Sequence, residues 1–463
     1  MNLLPLPKQI QTAEGEPIRL NPYPDAAAPA FFGAADAFRA REDLFADPTG
    51  ASLVLLQDDT IPDGGYFLAV TKTGAVLSAA DVPGINHALA TLYQLLERRD
   101  GGFFVPLVTV ADEPDSLWRG FMIDLARQWH PVSYIYDYID LCWQYKMSIL
   151  QLHFTDDQSF TLPSKAFPKL STPGRTYTEE EIAALRAYAR DRGVILVPEL
   201  DAPGHSKQFN DIYPEIFGGN GILCAEEKTF AALDVLYGEL CDLFPDTPYV
   251  HIGGDEARIK HWLDCDGCRA WQEANGLKDE KEMYSEYVHR LTEMILSRGK
   301  TPVVWEGFPK EGNERIDKRT LVFSWENYYQ PATDLAAGGF TLINAAWKPN
   351  YIVAPVTSWT PEEILDCDIY TFRHWWVKSV AFEKEIRLPE TTPVIGGQLC
   401  AWGDRLVEMD PIDGAEQEFA LVRRRLPAVA EKTWNVKSSC TPEQLIEAID
   451  ALDPLAIHRE AKL

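Results

Sequence analysis

The sequence lacks several features that mark membrane-bound or secreted proteins. No segment comes near the roughly 18 uninterrupted apolar residues that a transmembrane helix needs. The opening run MNLLPLPKQIQTAEGE has no apolar core of the secretory-signal kind, because Pro5, Pro7 and Lys8 interrupt it. Cysteine is sparse, with eight residues among 463, which fits a reduced cytoplasm. We therefore expect a cytoplasmic protein.

Positively charged residues are also scarce. The chain has 43 Lys and Arg against 70 Asp and Glu, a formal net charge of −27. A strongly negative protein repels phosphate backbones and anionic lipid surfaces, so we expect neither nucleic acid nor membrane as a partner. Intrinsic disorder is excluded as well, because 46% of the residues are hydrophobic and 24% are charged, which is ample material for a core.

Tryptophan is absent from the first 117 residues, and all 13 lie from Trp118 onward. An Asp/Glu/Pro stretch, residues 111–115, marks the change. We predict a small α+β domain over residues 1–112 and a catalytic domain over residues 113–463. The first domain has strand-like runs and helix-like runs separated by polar and glycine breaks. The runs are Ser52–Leu56, Tyr66–Thr71 and Phe103–Val110 for strands, and Ala34–Phe45 and Asn86–Arg98 for helices.

From residue 118, short apolar runs alternate with segments of helical period, which predicts βα units and a parallel sheet. Helical segments include Ser133–Met147 and one that Thr178 caps, with Glu181 closing a capping box and Gly193 ending it. The eight apolar runs are Gly120–Asp124, Ile149–Phe154, Val194–Glu199, Tyr249–Gly253, Pro302–Glu306, Leu321–Trp325, Thr341–Ala345 and Val394–Leu399.

Eight strands alternating with helices predict an α/β fold of the (β/α)8 TIM-barrel type with long insertions. A doubly wound open sheet is the rival, but it normally carries a glycine-rich phosphate loop after its first strand. Here the first strand runs into Asp124-Leu-Ala-Arg127 without such a loop.

A barrel enzyme collects its site at the carboxyl ends of its strands. In this sequence, carboxylates and histidines follow the second to fourth strands, and tryptophans follow the fifth to eighth. Aromatic faces stack on the apolar faces of sugar rings, whereas carboxylates bind hydroxyls and supply acid and base. The pattern therefore favours a carbohydrate site. Its residues are His153, Asp156, Asp157, Glu199, Asp201, His205, Asp255, Glu256, Trp305, Glu306, Trp325, Glu326, Trp347, Trp402 and Asp404.

Asp255 and Glu256 are adjacent and directly follow Gly253-Gly254. Neighbouring side chains leave an extended backbone on different sides, so these two carboxylates can hardly face each other as acid and separate nucleophile. They need different roles in any hydrolysis.

Cys265 and Cys268 have the CxxC spacing of a metal or redox motif. Zinc would need two further ligands, and the sequence has no second CxxC or HxxxH. We therefore expect two ordinary thiols and no metal site.

The sequence resembles glycoside hydrolase family 20, the β-N-acetylhexosaminidases, in its short, apparently intracellular branch. Each motif falls in the expected order, and the resemblance spans about residues 118–405. Residues 1–112 resemble the family's usual small α+β domain. The motifs that carry the resemblance are Arg119-Gly-Phe-Met-Ile-Asp124, His153-Phe-Thr-Asp156-Asp157, Val197-Pro-Glu-Leu-Asp201-Ala-Pro-Gly-His205, His251-Ile-Gly-Gly-Asp255-Glu256, Val303-Val-Trp305 and Cys400-Ala-Trp402-Gly-Asp404.

The resemblance implies removal of terminal β-linked GlcNAc or GalNAc by substrate-assisted retaining hydrolysis, without a cofactor. Glu256 corresponds to the general acid/base. Asp255 corresponds to the residue that orients the substrate's 2-acetamido group, whose carbonyl oxygen attacks C1 to give an oxazolinium ion. The nucleophile then belongs to the substrate, which resolves the geometric problem posed by two adjacent carboxylates.

The resemblance also assigns supporting roles. Asp156 and His205 correspond to a network that holds the acid/base, whose pKa should be raised by buried negative charge. The expected sugar-binding residues include Tyr351, although the family's usual Trp-Tyr pair is replaced here by Trp347-Lys-Pro-Asn-Tyr351, so another residue is the alternative donor to the acetamido oxygen. The full set is Arg119, His153, Trp305, Trp325, Trp347, Tyr351, Trp402 and Asp404.

Two other functions compete with this prediction. A metal-dependent hydrolase would use His153, Asp156, Asp157, His205, His251 and Asp255 as ligands, but their spacing does not match known pairs of metal-binding histidines. A non-catalytic sugar-binding protein would explain the tryptophans but not an acid beside a positioning aspartate.

Overall fold

The computed structural model describes residues 1–41, 49–99, 101–353 and 357–453. Its N-terminal part is built on strands whose side chains alternate between buried and exposed, as in Ser52–Gln57 and Tyr66–Thr71, which is the pattern of a sheet covered on one face. The strands are β1 Gln9–Thr12, β2 Ile18–Leu20, β3 Asp25–Ala26, β4 Ser52–Gln57, β5 Tyr66–Thr71, β6 Gly74–Ala79, β7 Glu97–Arg99, β8 Gly102–Val105 and β9 Val108–Asp112.

These strands form a six-stranded sheet in the order β1-β9-β5-β6-β4-β3 and a three-stranded sheet in the order β2-β8-β7. Two helices, α1 Phe32–Arg39 and α2 Val82–Leu95, pack with them. The predicted strand Phe103–Val110 is in fact two strands, β8 and β9, because Pro106 has no N–H for a ladder. Of the predicted helix Ala34–Phe45, residues 42–45 lie outside the described residues.

The barrel strands are almost completely buried, which explains their continuous apolar runs. They are parallel and follow one another in chain order, and the first pairs with the last to close the ring. The predicted (β/α)8 barrel with a small preceding domain is therefore confirmed. The strands are β10 Trp118–Asp124, β11 Ile149–His153, β12 Ile195–Glu199, β13 Tyr249–His251, β14 Thr301–Trp305, β15 Leu321–Ser324, β16 Thr341–Asn344 and β21 Val394–Trp402.

Helices connect and cover the strands, and the capping box predicted from Thr178 and Glu181 is present at the start of the helix Glu179–Asp191. Short 3-10 turns occur at Pro29–Phe31, Ile259–Asp264 and Asn313–Arg315. The helices after β10 are α3 Val132–Gln144, α4 Glu179–Asp191, α5 Lys207–Ile212, α6 Pro214–Phe217, α7 Glu227–Leu243, α8 Asp266–Ala274, α9 Glu280–Leu296, α10 Ala332–Ala337, α11 Trp347–Asn350, α12 Pro361–Leu365, α13 Pro411–Trp434 and α14 Pro442–Leu452.

An insertion between β16 and β21 adds four short strands, β17 Tyr351–Val353, β18 Thr357–Ser358, β19 Thr371–Phe372 and β20 Ile386–Arg387. Strand β17 runs parallel to the end of β21, with Tyr351 opposite Cys400 and Val353 opposite Trp402. This pairing brings Tyr351 to the carboxyl end of the barrel.

Two buried cations lie where the N-terminal sheet meets the barrel. The ammonium of Lys146 donates to the Tyr66 hydroxyl at 2.9 Å and contacts an oxygen of Asp112 at 3.3 Å. The indole of Trp434 donates to the other oxygen of Asp112 at 3.0 Å. Arg119 stacks over the Trp434 ring, 5.1 Å from its centroid. The two parts of the chain are thus joined by buried polar contacts as well as by apolar packing.

Among the described residues, no helix is long and apolar enough to cross a membrane.

Candidate active site

A cavity of about 610 Å³ opens at the carboxyl end of the barrel. Ten of the twelve predicted site residues line it, with acids and histidines on one side and aromatic rings on the other. The ten are His153, Asp156, His205, Asp255, Glu256, Trp325, Trp347, Tyr351, Trp402 and Asp404.

The turn after β13 places Asp255 and Glu256 in different environments. Gly253 and Gly254 have φ angles of 69° and 92°, and a Cβ at Gly253 would lie 1.7 Å from Asp201 Oδ1, so a side chain is excluded there. Glu256 is itself left-handed, with φ 46°, which costs about 1–2 kcal/mol in a residue other than glycine. The side chain of Asp255 is 9% exposed and that of Glu256 52%, so one points into the barrel and the other toward the cavity mouth.

Glu256 is held by a chain of charged contacts. His205 Nε2 lies 3.5 Å from Glu256 Oε2, and His205 Nδ1 lies 3.4 Å from Asp156 Oδ1. Burial disfavours a charged His205, but Asp156 outweighs this effect, and the pKa of His205 is raised well above its usual range. The hydrogen bond from His205 in turn lowers the pKa of Glu256, despite the opposite effect of burial. The prediction of a raised pKa for Glu256 is therefore wrong.

Of the two adjacent carboxyl groups, Asp255 is the one whose pKa is raised. Burial raises the pKa of Asp255 to about 7, although the neighbouring His205 ring opposes the shift. Burial and the Asp255 carboxylate also raise the pKa of Asp201 well above its usual range. Asp201 Oδ1 accepts a hydrogen bond from the Gly254 amide at 3.1 Å, while Asp201 Oδ2 and Asp255 Oδ1 have no hydrogen-bond partner in the described residues.

His153 has both ring nitrogens engaged by carboxylates. Its Nδ1 lies 2.7 Å from Glu199 Oε2, and its Nε2 lies 3.1 Å from Asp156 Oδ2. Burial opposes the charged form of His153, but these two acids raise its pKa well above the usual range. His153 borders the cavity, yet its nitrogens are committed to positioning Asp156 and are not free for a substrate.

Glu199, buried beneath the cavity, organises the floor. Its carboxylate accepts hydrogen bonds from Gln151 Nε2 and from the indole of Trp305, each at 2.7 Å, besides the contact with His153. Trp305 was predicted to contact the sugar, but it is 1% exposed and lies under the floor, 5.8 Å from the Trp402 ring. It supports the cavity and does not line it.

Arg119 was predicted to bind sugar hydroxyls, and the structure contradicts this prediction. It lies at the start of β10, where it donates to the carbonyls of Lys146 and Ser116 at 2.8 and 2.7 Å, against the N-terminal domain. Its side chain is directed to the amino end of its strand, whereas the cavity is at the carboxyl end.

Arg127, which follows the carboxyl end of β10, lines the cavity instead, as does Arg405. It contacts Asp156 Oδ2 at 2.7 Å and Asp124 Oδ2 at 3.0 Å, and its Nε lies 3.8 Å from Asp404 Oδ1. The side chain of Asp404 is 48% exposed. The position of Arg127 just beyond an apolar run was the signal in the sequence that would have identified it.

The aromatic side of the cavity is a set of stacked rings. Tyr351 lies parallel to Trp325, with centroids 5.9 Å apart, and stacks on Trp347 at 4.8 Å. Trp375, which is not among the predicted site residues, also lines the cavity and packs edge-on against Trp347 at 5.4 Å. Burial raises the pKa of Tyr351 well above its usual range, so its hydroxyl stays protonated and can donate a hydrogen bond.

Comparisons with known proteins agree with this geometry. Residues 117–437 match the family described as "Glycosyl hydrolase family 20, catalytic domain", and residues 1–113 match "Glycosyl hydrolase family 20, domain 2". The beta-hexosaminidase subunit beta of Entamoeba histolytica is 30% identical over 412 residues, which cover 82% of this chain and 70% of that protein. The beta-hexosaminidase of Akkermansia muciniphila is 28% identical over 438 residues, covering 84% and 83%.

Solved structures share the fold. The exo β-N-acetylglucosaminidase of Vibrio harveyi, solved with N-acetylglucosamine, superposes with a TM-score of 0.81 at 22% identity, covering 98% of this chain and 76% of that one. The β-N-acetylhexosaminidase of Bacteroides fragilis superposes with a TM-score of 0.80 at 22% identity, covering 98% and 95%. With a catalytic-domain match over most of its length, the chain belongs to glycosyl hydrolase family 20.

Proposed function

We propose that this protein is an exo-acting β-N-acetylhexosaminidase that releases terminal β-linked GlcNAc or GalNAc. The observation that carries the proposal is the divergence of two adjacent carboxylates on one cavity. Asp255 is buried beside the aromatic rings, and Glu256 is half-exposed at the mouth. A single acid at the mouth and a positioning carboxylate at the base suit a reaction in which the substrate brings its own nucleophile.

In the first step the protonated Glu256 gives its proton to the glycosidic oxygen. The 2-acetamido carbonyl oxygen attacks C1, the bond from C1 to the leaving oxygen breaks, and an oxazolinium ion forms. The ionised Asp255 accepts a hydrogen bond from the acetamido N–H and balances the positive charge. In the second step Glu256 takes a proton from water, and the water oxygen adds to C1 on the face from which the aglycone left. The bond from C1 to the acetamido oxygen breaks as it does so, which regenerates the 2-acetamido group and leaves the configuration at C1 retained.

The aromatic rings and two polar residues hold the sugar in this proposal. The methyl group and ring of the sugar pack on the stacked side chains of Trp325, Trp347 and Trp402. The Tyr351 hydroxyl donates to the acetamido oxygen. Arg127 and Asp404, which are partners across the rim, bind the outer hydroxyls of the sugar. An internal nucleophile held in this pose supplies a large part of the rate enhancement.

The aglycone lies beyond Glu256 in this arrangement. A second cavity of about 430 Å³ adjoins the first and shares His205 and Glu256 with it. Its lining includes Lys207, Asp211 and Arg258, which makes it polar and open to a further sugar unit.

A panel of substrates tests the proposal. Wild-type protein should cleave β-linked GlcNAc and GalNAc glycosides, while the matching β-glucoside with a 2-hydroxyl should be nearly inert. A thiazoline that mimics the cyclic intermediate should inhibit strongly. Glu256→Gln should lower kcat on a GlcNAc disaccharide, whose leaving group needs a proton, by about 10²–10⁴-fold. Equal cleavage of the acetamido and hydroxyl substrates would contradict the mechanism.

The metal-dependent alternative is less well supported by the contacts. His153 and His205, which it needs as ligands, each have both nitrogens within 3.5 Å of carboxylates. A chelator that abolishes activity without unfolding the protein, with recovery on adding Zn²⁺, would favour that alternative.

A further inference from the structure

The CxxC motif, Cys265 and Cys268, has no role in the hydrolysis proposed above. The structure brings two more metal-ligand side chains to it from the loop between α6 and α7, a loop about 40 residues earlier in the chain. One atom from each of the four residues lies within 4.8 Å of every other. We refer to this set as the thiol cluster, which consists of Cys224, Glu226, Cys265 and Cys268.

Two distances inside the thiol cluster match those of a tetrahedral zinc site. With Zn–S bonds of about 2.3 Å and Zn–O bonds of about 2.1 Å, tetrahedral angles place two sulfurs roughly 3.8 Å apart and a sulfur and an oxygen roughly 3.6 Å apart. The Sγ atoms of Cys224 and Cys265 are 3.8 Å apart, and Cys265 Sγ lies 3.6 Å from Glu226 Oε1. All three cysteines are free thiols.

The backbone around the thiol cluster is shaped to let these atoms converge. Gly218 has φ 89°, and a Cβ there would lie 2.4 Å from Cys224 Sγ. At Gly267, inside the CxxC motif, a Cβ would lie 2.1 Å from Glu226 Oε1. Two glycines therefore leave room for two of the four ligand atoms, where any side chain would displace them.

Neighbouring donors orient the ligands as outer-shell partners do in metal sites. The Ala225 amide donates to Cys268 Sγ at 3.3 Å, an N–H···S contact that stabilises a thiolate. Lys228 Nζ contacts Glu226 Oε2 at 3.0 Å, which leaves Oε1 directed at the sulfurs. Cys268 is fully buried, while the other three ligands are half-buried.

We propose that the thiol cluster binds one zinc ion through three thiolates and one carboxylate oxygen. On binding, the three thiols release their protons to solvent, and Glu226 binds as the carboxylate, so the ligands carry four negative charges against two on the metal. Soft thiolate ligands favour zinc over magnesium or calcium. Four protein ligands leave no open position, so the ion is structural and takes no part in the hydrolysis.

The role of this ion follows from where its ligands lie. Cys265 and Cys268 belong to the segment that continues from Glu256, and Cys224 and Glu226 belong to the segment that continues from His205. The two segments already touch at Trp262, whose indole donates to the Leu223 carbonyl at 2.8 Å. Zinc would therefore link the segment that follows Glu256 to the segment that follows His205, the histidine in contact with Glu256.

Metal analysis of the purified protein tests the proposal. We expect about one zinc per chain in protein prepared without chelator, because structural sites of this kind bind zinc very tightly. Cys265→Ser, at a half-buried ligand, should retain less than about a fifth of that zinc. Cys440→Ser, at a half-buried cysteine outside the thiol cluster, should keep all of it.

A second measurement covers the case in which a variant folds poorly. Wild-type protein exchanged into Co²⁺ should show the thiolate-to-cobalt charge-transfer band and the visible bands of a tetrahedral site. Glu226→Gln, which keeps all three thiols and the side-chain volume, should change the visible bands. Less than about 0.1 zinc per chain in the wild type, zinc that Cys265→Ser leaves in place, or a Cys224–Cys265 disulfide in its stead would each overturn the proposal.

Discussion

The imidazole of His205 lies 3.5 Å from the carboxylate of Glu256, and both residues have left-handed backbones, with φ angles of 47° and 46°. Residues other than glycine rarely adopt this conformation, and they hold it where the surrounding fold enforces it. Asp201 and Asp156 contribute to that enforcement, one through the Gly254 amide and the other through the His205 ring. Glu256, the proposed acid/base, is thus positioned by its own strained turn and by a charged partner.

The pH dependence of kcat/KM should report the Asp255 and Glu256 pair. At pH values between the lowered pKa of Glu256 and the pKa of Asp255, which is about 7, the two carboxyl groups together hold one proton. The proposed hydrolysis needs one proton, on Glu256, with Asp255 ionised. We expect kcat/KM to fall as the pH rises above about 7, where this proton is lost, and to fall again below the pKa of Glu256, where a second proton binds.

Asp255→Asn tests this interpretation. The variant lacks the group of higher pKa, so the alkaline limb of its residual activity should move to lower pH, toward the pKa of Glu256. Asp59→Asn, at an exposed carboxylate of the N-terminal domain, should leave the profile unchanged. An alkaline limb that stays near pH 7 in Asp255→Asn would show that another group controls it.

Tyr351→Phe should separate substrate-assisted catalysis from simple sugar binding. Removing the hydroxyl takes away the proposed donor that orients the attacking acetamido oxygen, so kcat/KM should fall by about 10²-fold. Thiazoline affinity should fall in parallel, while stability changes little. Tyr329→Phe is the matched variant, because this half-exposed tyrosine follows Trp325 on a neighbouring loop. A normal rate in Tyr351→Phe with a low rate in Tyr329→Phe would identify Tyr329 as the donor.

The two arginines at opposite ends of β10 give a direct comparison. Arg127→Lys keeps the charge but loses the planar fork that meets Asp156 and Asp124, and kcat/KM should fall roughly 10- to 100-fold. Arg119→Lys should lower the melting temperature, because buried carbonyls lose their donors, and leave KM and kcat of the folded protein unchanged. A raised KM in Arg119→Lys would restore its predicted role in sugar binding.

Glu306 should control the loop that follows Trp325. Its buried carboxylate accepts hydrogen bonds from five successive backbone amides, those of residues 326–330, at 2.7–3.3 Å. Glu306→Gln puts an NH2 group among these donors and should lower the free energy of unfolding by about 1–3 kcal/mol, with a higher KM. Chemical denaturation and steady-state kinetics measure both. Glu314→Gln, at an exposed position, should change neither.

The sequence was sufficient to predict the barrel because strands buried on both faces appear as continuous apolar runs. All eight runs are strands, with ends shifted by a few residues. The strand ends likewise identified the two sides of the cavity, since parallel strands bring their carboxyl ends to one rim. The predicted boundary after residue 112 stays a prediction.

Other features depend on contacts that no local pattern encodes. Tyr351 reaches the cavity because β17 extends beyond the ring beside the end of β21, a pairing made by an insertion. The lowered pKa of Glu256 depends on a histidine some 50 residues away in the chain. The prediction that Cys265 and Cys268 are ordinary thiols rests on the residues near them in the sequence. Cys224 and Glu226 lie about 40 residues earlier in the chain, and only the fold brings them to the motif.

The buried contacts of Lys146, Asp112 and Trp434 have a consequence for how this protein comes apart. Asp112 belongs to the N-terminal sheet, whereas Lys146 and Trp434 belong to the barrel part of the chain. Separating the two parts while they stay folded would therefore leave the Lys146 ammonium and the Asp112 carboxylate buried without their partners. Unfolding is then expected to be cooperative across the junction, with a single calorimetric transition. A substitution that unfolds the N-terminal sheet would therefore also disrupt the active site at the carboxyl end of the barrel.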